Sequence, residues 1–186
     1  LDSYHAERHG VAAHVLDVVR AQLALILPDV RHEALRELVG ALLRHDDARR
    51  DIAARMAGLD ICYALGDGHP LLGRRMPDVA LQRERGRAWL SDLLHAAQPV
   101  VLELGGAALE LVCAPWADRV QRVAAQPCER AWAIPRLGSV SAPAALLIRP
   151  DGHVAWVGQG STAGLAEALA VWCGPPTSAS TARAMT

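Results

Sequence analysis

A change of pattern near residue 58 constrains this chain more than any other feature. Before it, apolar residues recur at helical spacing. Ala12, Leu16, Val19, Leu23 and Ile26 share one face of a helix expected over residues 4–27. Asp2 and Ser3 are cap-type residues, Glu7 lies in the first turns where acidic groups suit the helix dipole, and Pro28 stops the run. A second helix is expected at about 31–44 on Leu35, Leu38, Val39 and Leu42, and a third at about 46–57, ending before Gly58. The stripe on the first helix is longer than two short helices can cover, so it needs another surface.

From 58 to 80 the helical period is lost. Glycines at 58, 66, 68 and 73, with Pro70 and Pro77, mark a connector with turns. Beyond it helix and strand patterns alternate. A helix is expected over 86–96, with Arg83 to Arg87 (RERGR) as its charged start. Pro99 to Leu104 reads as a buried strand, 106–115 as either strand or helix, and 118–124 as a second strand. Leu146 to Ile148 and Val154 to Val157 flank Pro150-Asp151-Gly152, a hairpin turn signal. A last helix spans about 162–173 and is stopped by Gly174-Pro175-Pro176. The order β-α-β, variable loop, β-hairpin, α is that of a thioredoxin-like domain. The expected fold class is therefore α/β, an N-terminal helical segment followed by a thioredoxin-like domain without a C-x-x-C pair. By analogy with that fold, Pro143 occupies the position where a cis-proline is usual.

Composition removes several functions. The net charge is −1 and no basic field is present, which argues against nucleic acid or an anionic membrane as partner. All 19 basic residues are Arg. The uninterrupted apolar runs fall well short of the roughly 20 residues a bilayer span needs, and no basic-then-apolar leader is visible, so a cytoplasmic location is expected. Cys62, Cys113, Cys128 and Cys173 are scattered, and no pair has zinc-knuckle or redox spacing; buried thiols are the expectation.

Few residues form a chemical constellation. Gly158-Gln-Gly160-Ser-Thr-Ala163 matches the dinucleotide fingerprint G-x-G-x-x-A, but that fingerprint needs a following strand and an acidic residue about 20 positions on. His5, Glu7 and His9 read H-x-E-x-H, with the glutamate misplaced for a zinc hydrolase, so no metal site is assigned. Ser139 and Ser141 lack a nucleophile frame. The stretch Gly105 to Ala108, where a thioredoxin would carry its thiols, holds no Cys. Trp89, Trp116, Trp132, Trp156 and Trp172 show no stacking spacing and read as core or domain-face residues. No catalytic, cofactor-binding or metal residue is assigned.

Three segments carry a family resemblance. LDSYHAERH (Leu1 to His9), HPLLGRRMPDVAL (His69 to Leu81) and AALLIRPDGHVAWVG (Ala144 to Gly158) resemble, in order and rough spacing, the region after the flavin-binding domain of FAD-dependent aromatic-ring hydroxylases of the p-hydroxybenzoate hydroxylase class, above all those acting on aromatic polyketides. The likeness covers most of residues 1–174. One departure is Gly10, where the family usually has Pro, so the helix is expected to start or bend differently there.

The resemblance implies the C-terminal portion of an FAD- and NAD(P)H-dependent monooxygenase, supplying packing and assembly, with neither cofactor held by this chain. It implies a helical segment, 1–57, that packs on a flavin domain, a linker, 58–80, and a thioredoxin-like domain, 81–174; the small, polar composition of 175–186 is that of a mobile tail. Tyr4, Glu7 and Arg8 would sit at the domain junction, the alternative being a plain solvated helix face. His69, Arg74 and Arg75 either hold a carboxylate across that junction or are turn residues on a solvated loop. The partners implied are an FAD-binding domain or chain, or a second copy of this one. The alternative is a free-standing, non-catalytic thioredoxin-like interaction module.

Overall fold

The computed structural model describes residues 2–105 and 109–177. The chain divides into two compact units, Leu1–Ala64 and Leu65–Thr186.

The first unit holds helices α1 (Asp2–Ile26), α2 (Val30–Leu42) and α3 (Asp46–Met56). α1 runs unbroken through Gly10; a glycine in a helix interior costs under about 1 kcal/mol, which 25 residues of helix absorb. Arg36 of α2 donates to the carbonyls of Leu25 and Leu27, covering the exposed end of α1, and the Asp29 carboxylate accepts from Arg31 N at 2.8 Å to cap α2. His14 Nε2 meets the buried Asp60 carboxylate at 3.0 Å and ties α1 to the chain after α3.

Packing within this unit is thin. Of its described residues only Ala54 and Tyr63 are buried. The expected stripe stays exposed, with Leu16 and Leu23 each at 54% and Ile26 at 73%. A different line, Val11, His14, Val18 and Leu25, is the partly covered one. Over Glu7–Ile26, α1 has a mean hydropathy of 1.2, long and apolar enough to cross a bilayer, which the short uninterrupted runs did not suggest. Asp17 and Arg20, paired at 3.0 Å, lie within that stretch, and each charge in a bilayer centre costs roughly 2.5–3.5 kcal/mol.

The second unit is built on a four-stranded sheet. Its strands are β3 (Val100–Glu103), β4 (Gln121–Ala124), β8 (Ala145–Ile148) and β9 (Val154–Gly158), in the order β4-β3-β8-β9. β3 and β4 are parallel; β8 is antiparallel to β3 and to β9. That order and those directions are the thioredoxin arrangement. Alternate side chains on β3 and β8 enter two cores. Val100, Leu102, Leu146 and Ile148 face one, with Leu71, Leu81, Leu90, Trp132 and Val154. Val101, Ala145 and Leu147 face the other, with Leu109, Trp116, Leu165 and Leu169. Each fully buried Leu, Val or Ile contributes roughly 1.5–3 kcal/mol, so this sheet, covered on both faces, anchors the unit.

α6 (Leu165–Cys173), the short α5 (Glu110–Cys113) and the 3₁₀ turn 114–116 cover the second core. The ambiguous stretch 106–115 is thus helical from 110; residues 106–108 of the expected thiol position lie outside the described residues. The first core is covered by elements the sequence did not announce. β1 (Ala80–Arg83) and β2 (Gly86–Trp89) form a hairpin, with β5 (Gln126–Pro127) added at its edge, and β6 (Ala131–Ile134) pairs with β7 (Gly138–Ser141). Arg83 to Arg87 therefore make a two-residue hairpin turn, not a helix start. The helix expected over 86–96 shrinks to α4 (Leu90–Leu94).

Pro150-Asp151-Gly152 turns the β8–β9 hairpin. Gly152 at φ 84° takes the left-handed conformation the turn requires, and its N–H donates to the Arg149 carbonyl. The register shifts between Leu147 and Ile148, so Ala155 is an extra residue in β9 and both Ala155 and Trp156 face the second core. No cis peptide bond occurs among the described residues, so Pro143, although buried, is trans; trans is favoured by about 0.5–1 kcal/mol for X–Pro bonds unless packing selects otherwise.

Residues 65–80, read in the sequence as the latter part of a connector, lie in the second unit. Leu71 is fully buried, and the chain at 73–76 pairs with the free edge of β9. Gly73 N donates to Val154 O, Val154 N to Arg74 O, and Met76 N to Gly152 O. Beyond α6, Arg119 donates to the carbonyls of Cys173 and Pro175 and to Thr177 Oγ1, and Trp116 Nε1 to Gly174 O. The first residues of the expected tail are held by these bonds; the tail from 178 lies outside the described residues.

Candidate functional site

The residues singled out in the sequence fall in both units. In the first, Arg8 stands over the rings of Tyr4 and Tyr63, its guanidinium carbon 5.8 and 6.0 Å from their centroids. Tyr63 is buried, so one face of this cation is backed by a fixed ring, while Glu7 is half-buried one residue earlier. His5 and His9, four apart on α1, have ring centroids 5.5 Å apart. Among the described residues no group of three or more His, Cys, Asp or Glu side chains comes together as a metal site would require.

In the second unit, the backbone of Arg74 and Arg75 is paired with β9, and Arg75 and His153 are antiparallel bridge partners. The turn beyond that pair is an electrostatic cluster. Asp151 accepts from His153 N at 3.1 Å, faces His153 Nδ1 at 3.4 Å, and binds Arg149 at 2.7 Å. Burial by itself would raise the Asp151 carboxyl. The hydrogen bonds from His153 and the Arg149 guanidinium outweigh it and hold the group well below the usual carboxylate range. Arg149 in turn lies 4.2 Å from the Trp172 ring centroid, which joins the hairpin turn to α6.

His69 belongs to a cleft of about 420 Å³ between the 65–72 loop, β9 and α6. Leu72, Trp156, Ala168 and Trp172 line it, with Asp67, Glu167 and Val171 at the same opening. The His69 ring accepts from Leu71 N through Nδ1 at 3.2 Å, and burial lowers its pKa. The neutral ring therefore carries its proton on Nε2, a donor. Sequence reasoning found His69 but not this cleft. Trp156 faces it through regular pairing with Leu147, and the bulge adds Ala155 to the same wall; no local pattern announces a bulge.

Charged side chains meet at the end of β3. Glu103 accepts from Leu109 N at 2.8 Å and from Arg122 at 3.1 Å, and Arg122 also approaches Glu110 at 3.6 Å. Cys113 and Cys173, 60 residues apart in the sequence, share the second core as free thiols. Burial raises both above the ordinary thiol value, so neither resembles the acidified thiolate of a redox enzyme. Ser139 and Ser141 lie on β7 of a surface hairpin.

The Gly158–Ala163 loop does not fit a flavin or nicotinamide phosphate. It follows β9, an edge strand antiparallel to its neighbour, where the fingerprint requires a βαβ unit. Its polar groups are turned on the protein itself. Ala163 O accepts from Trp156 Nε1 at 2.8 Å, and Ala163 N donates to Ser161 Oγ at 3.1 Å.

Known proteins agree with this architecture. The family model for the aromatic-ring hydroxylase C-terminal domain matches residues 69–176. The chain is 44% identical over 180 residues to 12-dehydrotetracycline 5-monooxygenase/anhydrotetracycline 6-monooxygenase of Streptomyces rimosus, covering 95% of this chain and 35% of that enzyme. It is 38% identical over 159 residues to rifampicin monooxygenase of Streptomyces venezuelae, covering 86% of this chain and 30% of the relative. Among solved structures, the OxyS anhydrotetracycline hydroxylase from Streptomyces rimosus superposes with a TM-score of 0.82 at 44% identity, over 95% of this chain and 36% of that one. CabE, an aromatic hydroxylase from angucycline biosynthesis, gives 0.80 at 41% identity, over 95% and 36%. The chain spans about a third of the length of these relatives. With the thioredoxin arrangement of its sheet and the match across 69–176, the chain belongs to the aromatic-ring hydroxylase C-terminal domain family.

Proposed function

We propose that this chain is the C-terminal portion of an FAD- and NAD(P)H-dependent monooxygenase of aromatic, polyketide-type substrates, and that it supplies packing and assembly. Flavin chemistry belongs to the remainder of such an enzyme: bound reduced flavin activates dioxygen, and the protein positions ring and cofactor. The observation that carries this reading is the first unit. It buries only Ala54 and Tyr63 among its described residues and leaves Leu16, Val19, Leu23 and Ile26 open. Three helices with so little core cannot offset the entropy of ordering their own backbone, about 1–2 kcal/mol per residue. A flavin-binding domain supplies the missing surface. In this reading 1–57 packs on that domain, with Tyr4, Glu7 and Arg8 at the junction. His69, Arg74 and Arg75 hold the start of the C-terminal domain, 81–174, against it, and the assembly is cytoplasmic.

The test compares two proteins: this chain alone, and the polypeptide encoded when the reading frame is extended upstream to include a flavin-binding region. The extended protein is expected to hold FAD through gel filtration and to oxidise NAD(P)H when given an aromatic polyketide such as anhydrotetracycline. The chain alone is expected to be colourless. A yellow flavin retained stoichiometrically by the chain alone overturns the reading. So does a true start codon at residue 1 with no flavin-binding partner, which would favour a free-standing interaction module.

A further inference from the structure

The cleft between the 65–72 loop, β9 and α6 shares only His69 with the reading above, and its chemistry is specific. We propose that it binds a small organic cation with a planar apolar body, an arylalkylammonium in chemical class. At about 420 Å³ it has the size of a small-molecule site, and its walls are mostly apolar with a few polar groups, as such sites require. Trp156 and Trp172 supply indole rings for the flat body. The indole N–H of Trp156 is already bound to Ala163 O, so that side chain offers the ligand only apolar surface.

Charge decides the sign of the ligand. Asp67 and Glu167 are the two charged side chains lining the cleft, and both are acidic. His69 adds one neutral N–H donor. The chain has no Lys, and the nearby guanidinium of Arg149 is committed to Asp151 and to the Trp172 ring. An anion would meet two carboxylates with no cation to receive it; an ammonium meets two acceptors and aromatic rings that favour cations. Gly164, just before α6, and Ala168 on it are small residues on the cleft side, with Val171 beyond them. Val171 is 70% exposed and adds apolar surface at the rim of the cleft.

The test uses the whole chain and two probes with the same ring, 2-naphthylmethylammonium and 2-naphthoate, titrated against ¹⁵N-labelled protein. The ammonium is expected to saturate at one equivalent below about 1 mM. It should shift the indole N–H signals of Trp156 and Trp172 and the amides of Gly68 and Gly164. The naphthoate is expected to bind about tenfold or more weakly. Asp67→Asn with Glu167→Gln should remove most of the difference between the probes. Val171→Arg should abolish binding; both sets of positions are exposed, so the spectrum of the free protein should be kept. Equal binding of the two probes refutes the charge argument. Shifts confined to other residues, or no saturation, refute the site.

Discussion

Replacing Gly158 by Ala tests whether the second core is set by one close approach. Gly158 ends β9 with an ordinary negative φ, so the backbone itself tolerates a side chain. The space does not. An added Cβ would overlap Cη2 of Trp156, with Cζ2 of the same ring and the Ser161 carbonyl oxygen each at 3.0 Å. The ring cannot swing aside freely, because it is buried and its N–H is held by Ala163 O at 2.8 Å. Overpacking of this kind costs about 1–3 kcal/mol, and with a backbone oxygen on the second side we expect about 2–3. Trp156→Phe alone loses one hydrogen bond and part of a ring, for about 2 kcal/mol. Phe has no atoms where Cη2 and Cζ2 lie, so the added methyl fits in the double variant. Its total loss should be about 2–3 kcal/mol in place of the 4–5 expected for independent sites, a coupling of roughly 2. Urea unfolding followed by tryptophan fluorescence reads the second unit alone, because all five tryptophans lie at or beyond residue 89. A double variant whose loss equals the sum of the singles refutes the argument.

Other outcomes follow from single contacts. Gly10 lies in the middle of α1 and an added Cβ would touch nothing within 4 Å. Gly10→Ala should therefore stabilise the helical unit by about 0.5–1 kcal/mol, read by circular dichroism at 222 nm with tryptophan fluorescence unchanged. The depressed pKa of Asp151 means that its contribution to stability is complete above the unfolded carboxylate value, about 4, and is lost as pH falls through the folded value. Asp151→Asn should flatten the acid limb of the stability curve below about pH 4, and an unchanged slope would remove the turn cluster from the account. Arg119→Leu deletes the bonds to Cys173 O, Pro175 O and Thr177 Oγ1. With bonds to a charged donor at about 1.5–3 kcal/mol each, discounted because water replaces part of them, a loss of about 2 kcal/mol is expected. Limited proteolysis followed by mass spectrometry should then show faster cutting after residue 173; unchanged cutting would mean that the Trp116 Nε1 bond to Gly174 O and the Thr177 N bond to Pro115 O hold the segment without Arg119.

The sequence by itself determined the features with short-range causes. Helices α1 to α3 came from a 3.6-residue period and the stops at Pro28 and Gly58, and the β8–β9 hairpin from Pro150-Asp151-Gly152, because turns and helices are decided by neighbours in the chain. The three family-like segments point to the hydroxylase C-terminal domain by their residues alone. What the sequence could not carry was pairing between distant pieces. β1 and β2 are four residues each, joined through Glu84-Arg85, which lacks the glycine or asparagine that announces a two-residue turn, so a charged stretch read as helix. The chain at 73–76 looked like connector because its pairing partner is the edge of β9, whose unpaired N–H and C=O groups exist only once the sheet has formed. The face of α1 that is covered differs from its most apolar stripe, since His14 is held by Asp60, 46 residues on. The wall of the cleft includes the bulged Ala155, which lies on the same side as Trp156 and breaks the two-residue period a strand would otherwise keep. Local dihedral preferences are written residue by residue in a sequence; register, bulges and edge pairing are settled only when the strands satisfy one another's hydrogen bonds, and that is a property of the tertiary structure.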